Sequence, residues 1–257
     1  MTTATQAAQL ARRSVVRTWR QPANVAAPLL FPMMLLAVNA GGLDSAEELP
    51  GFPADSFLAF ALAVPFIQGA LFATMNAGTD LARDVQTGFL NRLALSPMRS
   101  VALLAGQLGG VVATGLAQAV FYLCVGLAAG VRLESGLLGV LVLLVLSTLI
   151  ALAFGSLGAF AALRTGSGEA VQGLFPALFV FLFISSMNLP RDLIEIHWFR
   201  TAATLNPVSY LIEGVRSLII VGWDAQALAL AFGFAFAIGI VGLTAASWAL
   251  RERLTRT

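Results

Sequence analysis

The chain has 257 residues, of which 58% are hydrophobic and 11% charged, and its mean hydropathy is +0.86. So few charges cannot clothe a water-exposed surface, which excludes a soluble globular domain and leaves a bundle of membrane-spanning length. All 15 basic residues are arginine and the formal net charge is +2; with no lysine, a Walker-type phosphate loop, a Schiff-base lysine and a Ser-Lys dyad are excluded from this chain, and so small a positive excess does not suit a nucleic-acid partner.

Residues 4–21 read as an amphipathic interfacial helix. Arg13, Arg17 and Arg20 recur on one face, while Ala7, Ala11, Val15 and Trp19 occupy another. A signal peptide is the rival reading, since Val38-Asn39-Ala40 resembles a cleavage site. The arginines extend too far and the apolar run is too long for it. The first span follows at about 23–42, with Pro28 and Pro32 inside it predicting a kink.

An acidic loop with Asp44, Glu47, Glu48 and Asp55 leads to a second span at about 56–78. The stretch 79–100 carries Asp80, Arg83, Asp84, Arg92 and Arg99 and ends in Ser96-Pro97. It reads as a short charged helix between spans, the natural lever for a partner protein. Further spans are predicted at about 101–130, 136–163 and 169–188.

After Pro190 the chain turns mixed, with Arg191, Asp192, Glu195, His197 and Arg200. Asn206-Pro207 then opens a half-apolar helix, asparagine capping and proline in the first turn. Residues 189–225 are therefore expected to form re-entrant or interfacial helices rather than a crossing. Glu213 and Arg216, three residues apart, are expected to pair on one helix face. The sixth span is predicted at about 226–250, followed by Arg251, Arg253 and Arg256.

The expected architecture is all-α: one transmembrane domain of six spans, with no repeat and no linker. With the N-terminus inside, Arg12, Arg13, Arg17, Arg20, Arg83, Arg92, Arg99, Arg164, Arg251, Arg253 and Arg256 are cytoplasmic, against Arg132, Arg191, Arg200 and Arg216 outside. That asymmetry predicts two cytoplasmic termini.

Titratable groups are nearly absent at mid-depth. The interior polar residues Asn39, Gln68, Asn76, Gln107, Gln118 and Gln172 do not titrate, so proton coupling has nothing to run on. Cys124 has no cysteine partner and His197 no second histidine, so neither a disulfide nor a metal site is expected. A transporter of this kind needs an external motor. An integral membrane enzyme or a scaffold is the alternative, and only Asp192, Glu195 and His197 approach the convergent titratable set an enzyme needs.

Three stretches carry a family resemblance: Asp84 through Pro97 with its Gly88 and Ser96-Pro97; Phe175-Pro176 through Ser185-Ser186 and Pro190; and Asn206-Pro207-Val208-Ser209-Tyr210 through Glu213, Arg216 and Leu218. In order and spacing they resemble the permease subunits of ABC-2 (type V) exporters, particularly the daunorubicin-resistance-type drug efflux permeases. The resemblance implies a bacterial plasma-membrane permease subunit that dimerises with an identical or paralogous half. It implies one ATPase subunit per half, two in all, which hold the ATP and magnesium. The exported cargo would be an amphipathic drug or a lipid-like molecule, in contact with membrane lipid. It further implies that Arg83, Asp84, Gly88, Arg92, Ser96 and Pro97 form a coupling helix for the ATPase, and that Asn206, Pro207, Tyr210, Glu213 and Arg216 form the signature of an external gate. On this reading Arg13, Arg17, Trp19 and Arg20 hold the interfacial helix at the membrane surface. Phenylalanines such as Phe31, Phe60, Phe66, Phe72, Phe175, Phe179, Phe181 and Phe183 either pack between helices or line an apolar route.

Overall fold

The computed structural model describes residues 3–94 and 100–255, and no strand occurs among them. The helices are α1 (Thr3–Trp19), α2 (Pro22–Gly42), α3 (Phe57–Ala61), α4 (Ala63–Gln86), α5 (Phe89–Ala94), α6 (Ser100–Ala128), α7 (Gly136–Thr165), α8 (Gly168–Phe183), α9 (His197–Leu205), α10 (Pro207–Ile220) and α11 (Ala225–Thr255). Short 3-10 turns lie at Asp44–Glu48 and Arg191–Leu193.

Five stretches are long and apolar enough to cross a membrane: Asn24–Gly42, Phe57–Gln86, Leu103–Ala128, Gly136–Thr165 and Ala225–Arg253. The fifth predicted span, 169–188, is only partly helical, because α8 stops at Phe183 after 16 residues. At 1.5 Å per residue that is about 24 Å, short of the roughly 30 Å hydrocarbon core. The second crossing starts at Phe57, as predicted, but it is interrupted at Leu62, near Pro65, and beyond its predicted end at residue 78 it continues as one helix through Gln86.

The second crossing is the centre of the bundle, 89% buried, with α7 packed beside it and α11 packed on α7 and α10. Small residues let the backbones close up. A Cβ placed on Gly158 of α7 would lie 2.0 Å from the Thr74 carbonyl of α4, the close approach that packs helices in lipid, where burial of apolar surface gives no drive. α1 does not lie free at a surface. Ala7, Leu10, Ala11 and Ser14 rest on Gly106, Gly109 and Gly110 of α6.

The predicted prolines Pro28 and Pro32 lie inside α2. Each removes one helical N–H, so the carbonyls four residues earlier, Asn24 and Pro28, lose their donors. Both find replacements: Asn76 Nδ2 donates to the Asn24 carbonyl at 3.1 Å and the Tyr122 hydroxyl donates to the Pro28 carbonyl.

Candidate functional site

Two polar constellations stand at opposite ends of the bundle. The first joins α1 to α4. Asp80 and Asp84 are one helical turn apart on α4, as are Arg13 and Arg17 on α1, so the two pairs meet face to face. Asp84 accepts from Arg13 Nη1 and Nη2 at 3.1 and 3.0 Å, from Arg17 Nη1 at 2.9 Å and from Gln107 Nε2 at 2.6 Å. Arg17 Nε also meets Asp80 at 3.1 Å.

Four donors around one carboxylate, whose side chain is 3% exposed, leave no lone pair for a partner protein. The predicted role of Asp84 as an outward-facing coupling residue is thereby corrected: it fastens α1 to the second and third crossings. Arg13 and Arg17, expected to serve the membrane surface, are its counter-charges, while Arg12 and Arg20 stay exposed. The Trp19 side chain lies outside the described residues.

Beyond the cluster the chain turns sharply. Gly88 has φ +68°, a left-handed conformation that glycine adopts without strain, and α5 starts at the next residue. The Arg13 guanidinium lies 3.9 Å from the centroid of the Phe89 ring, so one side chain touches both the end of α4 and the start of α5. Leu90 is buried beneath it. Arg83 and Arg92 are exposed, Arg92 donating to the Thr87 carbonyl at 3.4 Å. Ser96 and Pro97 lie outside the described residues. Nearby, Gln86 Nε2 donates to the Gly166 carbonyl at the α7–α8 turn, and Arg164 pairs with Glu252 at 2.8 Å.

The second constellation surrounds α10. Asn206 caps that helix as expected, its Oδ1 accepting from Val208 N at 3.0 Å, with Pro207 at the first position. Its Nδ2 does more, donating to the carbonyls of Phe181 at 2.5 Å and Ile184 at 2.7 Å. Arg216 does not pair with Glu213. Its Nε donates to Phe60 O at 3.0 Å, Nη1 to Ser186 O at 2.9 Å and Nη2 to Met187 O at 3.0 Å, and its guanidinium stacks 3.5 Å from the Phe60 ring centroid.

Glu213 is taken instead by Arg191 at 2.6 Å. Arg191 also lies over the Tyr210 ring at 4.5 Å. Burial would lower the Arg191 guanidinium, but Glu213 and Tyr210 outweigh it and hold it above its ordinary value. Tyr210 donates to the Thr204 carbonyl and stacks on Phe234.

These contacts share a cause. The backbone is non-helical after Phe183 and broken at Leu62, and there its carbonyls lack intrahelical donors. Away from water such groups need partners from the protein. Asn206 and Arg216 supply them, and Ser209 Oγ accepts from the Ser186 N–H of the same segment at 3.2 Å. Sequence reasoning missed Asp80 and Gln107 as members of the first cluster and Arg191 as the partner of Glu213. The paired four-residue spacings of Arg13/Arg17 and Asp80/Asp84 were a usable signal for the first. Nothing local marks the second.

Beside α8, an open groove of about 650 Å³ is lined by residues including Leu49, Phe183, Met187, Leu193, Ile194 and Phe199. It continues an aromatic row in which Phe31 touches Phe72, Phe72 touches Phe175, and Phe179 touches Phe175 and Phe183 at centroid distances of 4.5–6.0 Å. Phe60 and Phe66 are packed inside the bundle, whereas Phe181 and Phe183 are exposed. Asp192, Glu195 and His197 are all exposed.

Residues 5–220 match the family described as ABC-2 type transporter. The chain belongs to that family. It is 31% identical to the daunorubicin resistance ABC transporter permease protein DrrB1 of Streptomyces coeruleorubidus, over 75% of this chain and 65% of that protein. The match therefore spans just under two thirds of that relative. It is also 26% identical to the putative transport permease ycf38 of Porphyra purpurea, over 95% of this chain and 88% of the relative, and 29% identical to its counterpart in Pyropia yezoensis, over 81% and 72%. This ABC-2 family member is thus a multi-pass membrane protein whose relatives carry the name permease.

Proposed function

We propose that this chain is the membrane-spanning subunit of an ATP-driven exporter, with the end bearing α1 and α5 in the cytoplasm. A separate ATPase subunit, one for each of two permease halves, holds the ATP and magnesium and pushes on α5. The observation that carries the reading is the α4–α5 corner. A six-residue helix that carries exposed Arg92, with exposed Arg83 on α4 just before it, is joined through Arg13 to Asp84 and so to the bundle. Force applied at α5 has a stiff path into the second crossing and, through Gln107, into the third.

The export of an amphipathic drug or lipid-like molecule is supported by the drug-resistance name of one relative, and by the aromatic row and apolar groove beside α8. The bacterial plasma membrane as its location, and a second half that is identical or paralogous, follow from the same family reading.

The test is ATP hydrolysis by the chain co-expressed with its candidate ATPase in lipid nanodiscs. Since Asp84 is internal, the informative variant reverses only the exposed charges, Arg83→Glu with Arg92→Glu. It is expected to lose ATPase association while keeping the melting temperature of the isolated chain. If the ATPase binds the variant as well as wild type, α5 is not the coupling surface. If no ATPase associates with wild type, the exporter reading fails.

A further inference from the structure

The two carbonyls freed by Pro28 and Pro32 are held by side chains rather than by the helix itself. This difference has mechanical content. A helical N–H···O bond is given up only by unwinding backbone, whereas the Asn76 and Tyr122 bonds break with a change of side-chain position. Proline also bends a helix away from its own preceding carbonyl, so the bend direction is built in.

The rest of α2 is lightly held. Only 17% of the Asn24–Gly42 stretch is buried, against 89% for the second crossing. Leu30, Met34 and Val38 are exposed, and Leu36 is the chief apolar anchor beyond Pro32. Phe31 meets Phe72 and Phe179 edge-on, at 5.9 and 6.2 Å. The neighbouring helix makes room for the latch: a Cβ on Gly69 would lie 2.9 Å from the Tyr122 hydroxyl.

We propose that α2 is a hinged helix, bent at Pro28 and Pro32, with Asn76 and Tyr122 as positioning residues that act as two releasable latches. Release lets the segment beyond Pro32 swing against the bundle. That this swing belongs to the transport cycle rests on the exporter reading; the hinge itself does not.

The test exploits the register. Pro32→Ala restores an N–H able to reach the Pro28 carbonyl, so it removes the need for the Tyr122 hydroxyl. Tyr122→Phe removes the latch and keeps the ring. Spin labels on the native Cys124, which is exposed on α6, and on a cysteine replacing the exposed Val38 report the position of the outer half of α2. Wild type is expected to give a broad distance distribution, Tyr122→Phe a broader one shifted to longer distance, and the double variant a single narrow one. The melting temperature should fall by a few degrees in Tyr122→Phe and return in the double variant. ATP turnover of the double variant with the partner ATPase should remain at a tenth of wild type or less.

If the two bonds only repair the backbone, the distance distributions coincide and turnover recovers together with the melting temperature, which overturns the proposal. If the labels separate the variants as expected but wild type with its ATPase shows no membrane-coupled turnover, the exporter reading falls and the hinge stands.

Discussion

Replacing Asp84 by alanine tests whether α1 is an integral part of the bundle. The substitution removes four hydrogen bonds, three of them to guanidinium groups. Breaking a fully buried ion pair costs about 3–5 kcal/mol, but the cost here is lower for a structural reason. The Arg13 side chain is 40% exposed and turns to water once released, while Arg17 keeps Asp80. What remains is the loss at Arg17 and at Gln107, about 2–3 kcal/mol on the scale of charge-assisted hydrogen bonds, or roughly 4–12 °C in melting temperature for a chain of this size. Arg13→Ala, losing the exposed end of the same contact, is expected to cost about 1 kcal/mol or less. Thermal unfolding of both variants in detergent, followed by size-exclusion recovery, gives the ranking. Limited trypsin digestion at the exposed Arg12 and Arg20 gives the location, since α1 should become cleavable in the Asp84 variant first. If Arg13→Ala is the more damaging change, or if digestion of α1 is unaltered in Asp84→Ala, then the carboxylate is not what holds α1.

Asn206→Ala removes a helix cap and leaves the Phe181 and Ile184 carbonyls without their donor, so it should cost about 2 kcal/mol or more in detergent unfolding. Asn206→Asp keeps the cap oxygen but sets a buried carboxylate oxygen against the Phe181 and Ile184 carbonyls in place of the amide donor, so it should be at least as damaging as alanine. Gly158→Ala drives a methyl onto the Thr74 carbonyl and should prevent recovery of folded chain. Gly173→Ala in α8 meets nothing within 4 Å and should be neutral or stabilising by up to about 1 kcal/mol. Glu213→Gln gives up the charge in a pair whose side chains are 24% and 22% exposed but keeps an acceptor for Arg191, and should lower stability by about 1 kcal/mol, a shift of a few degrees in the same melt.

What the sequence made legible follows the range of the forces involved. The spans were readable because each is a run of about 20 apolar residues, and α2, α6, α7 and α11 begin and end within a few residues of expectation. The Asn206 cap was readable because a cap is local. The Asp84 partner was not, because the chain between two spans looks solvent-exposed until a separate helix is laid against it. Yet Leu81, Ala82 and Val85, continuing the apolar stripe beyond residue 78, already implied that the helix ran on. The pairing of Glu213 with Arg216 failed for the opposite reason. Spacing allowed it, but Arg216 is claimed by three backbone carbonyls that only the broken ends of two other helices make available. The orphaned carbonyls of α2 were countable from the two prolines alone, whereas the identity of Asn76 and Tyr122 as their donors needed the fold.

The two ends of the bundle solve the same problem, a charge away from bulk water, by different means, and the difference can be measured. At the α1 end, charge meets charge, and one member of the cluster, Arg13, is open to solvent. Added salt screens such a pair within a Debye length of about 3 Å at 1 M. At the α10 end Arg216 is buried and satisfied by backbone carbonyls and the Phe60 ring, dipoles that salt outside the bundle does not reach. Raising sodium chloride from 0.1 to 1 M should therefore increase amide hydrogen exchange in α1 while leaving α10 unchanged. Equal loosening of both helices would mean that the Arg216 site is wet, and equal indifference that α1 is held by its packing on Gly106, Gly109 and Gly110 rather than by Asp84. Arg216→Met separates the remaining possibility. It strands three carbonyls and should cost about 3 kcal/mol or more even though it removes a buried charge, with the same deficit at both salt concentrations.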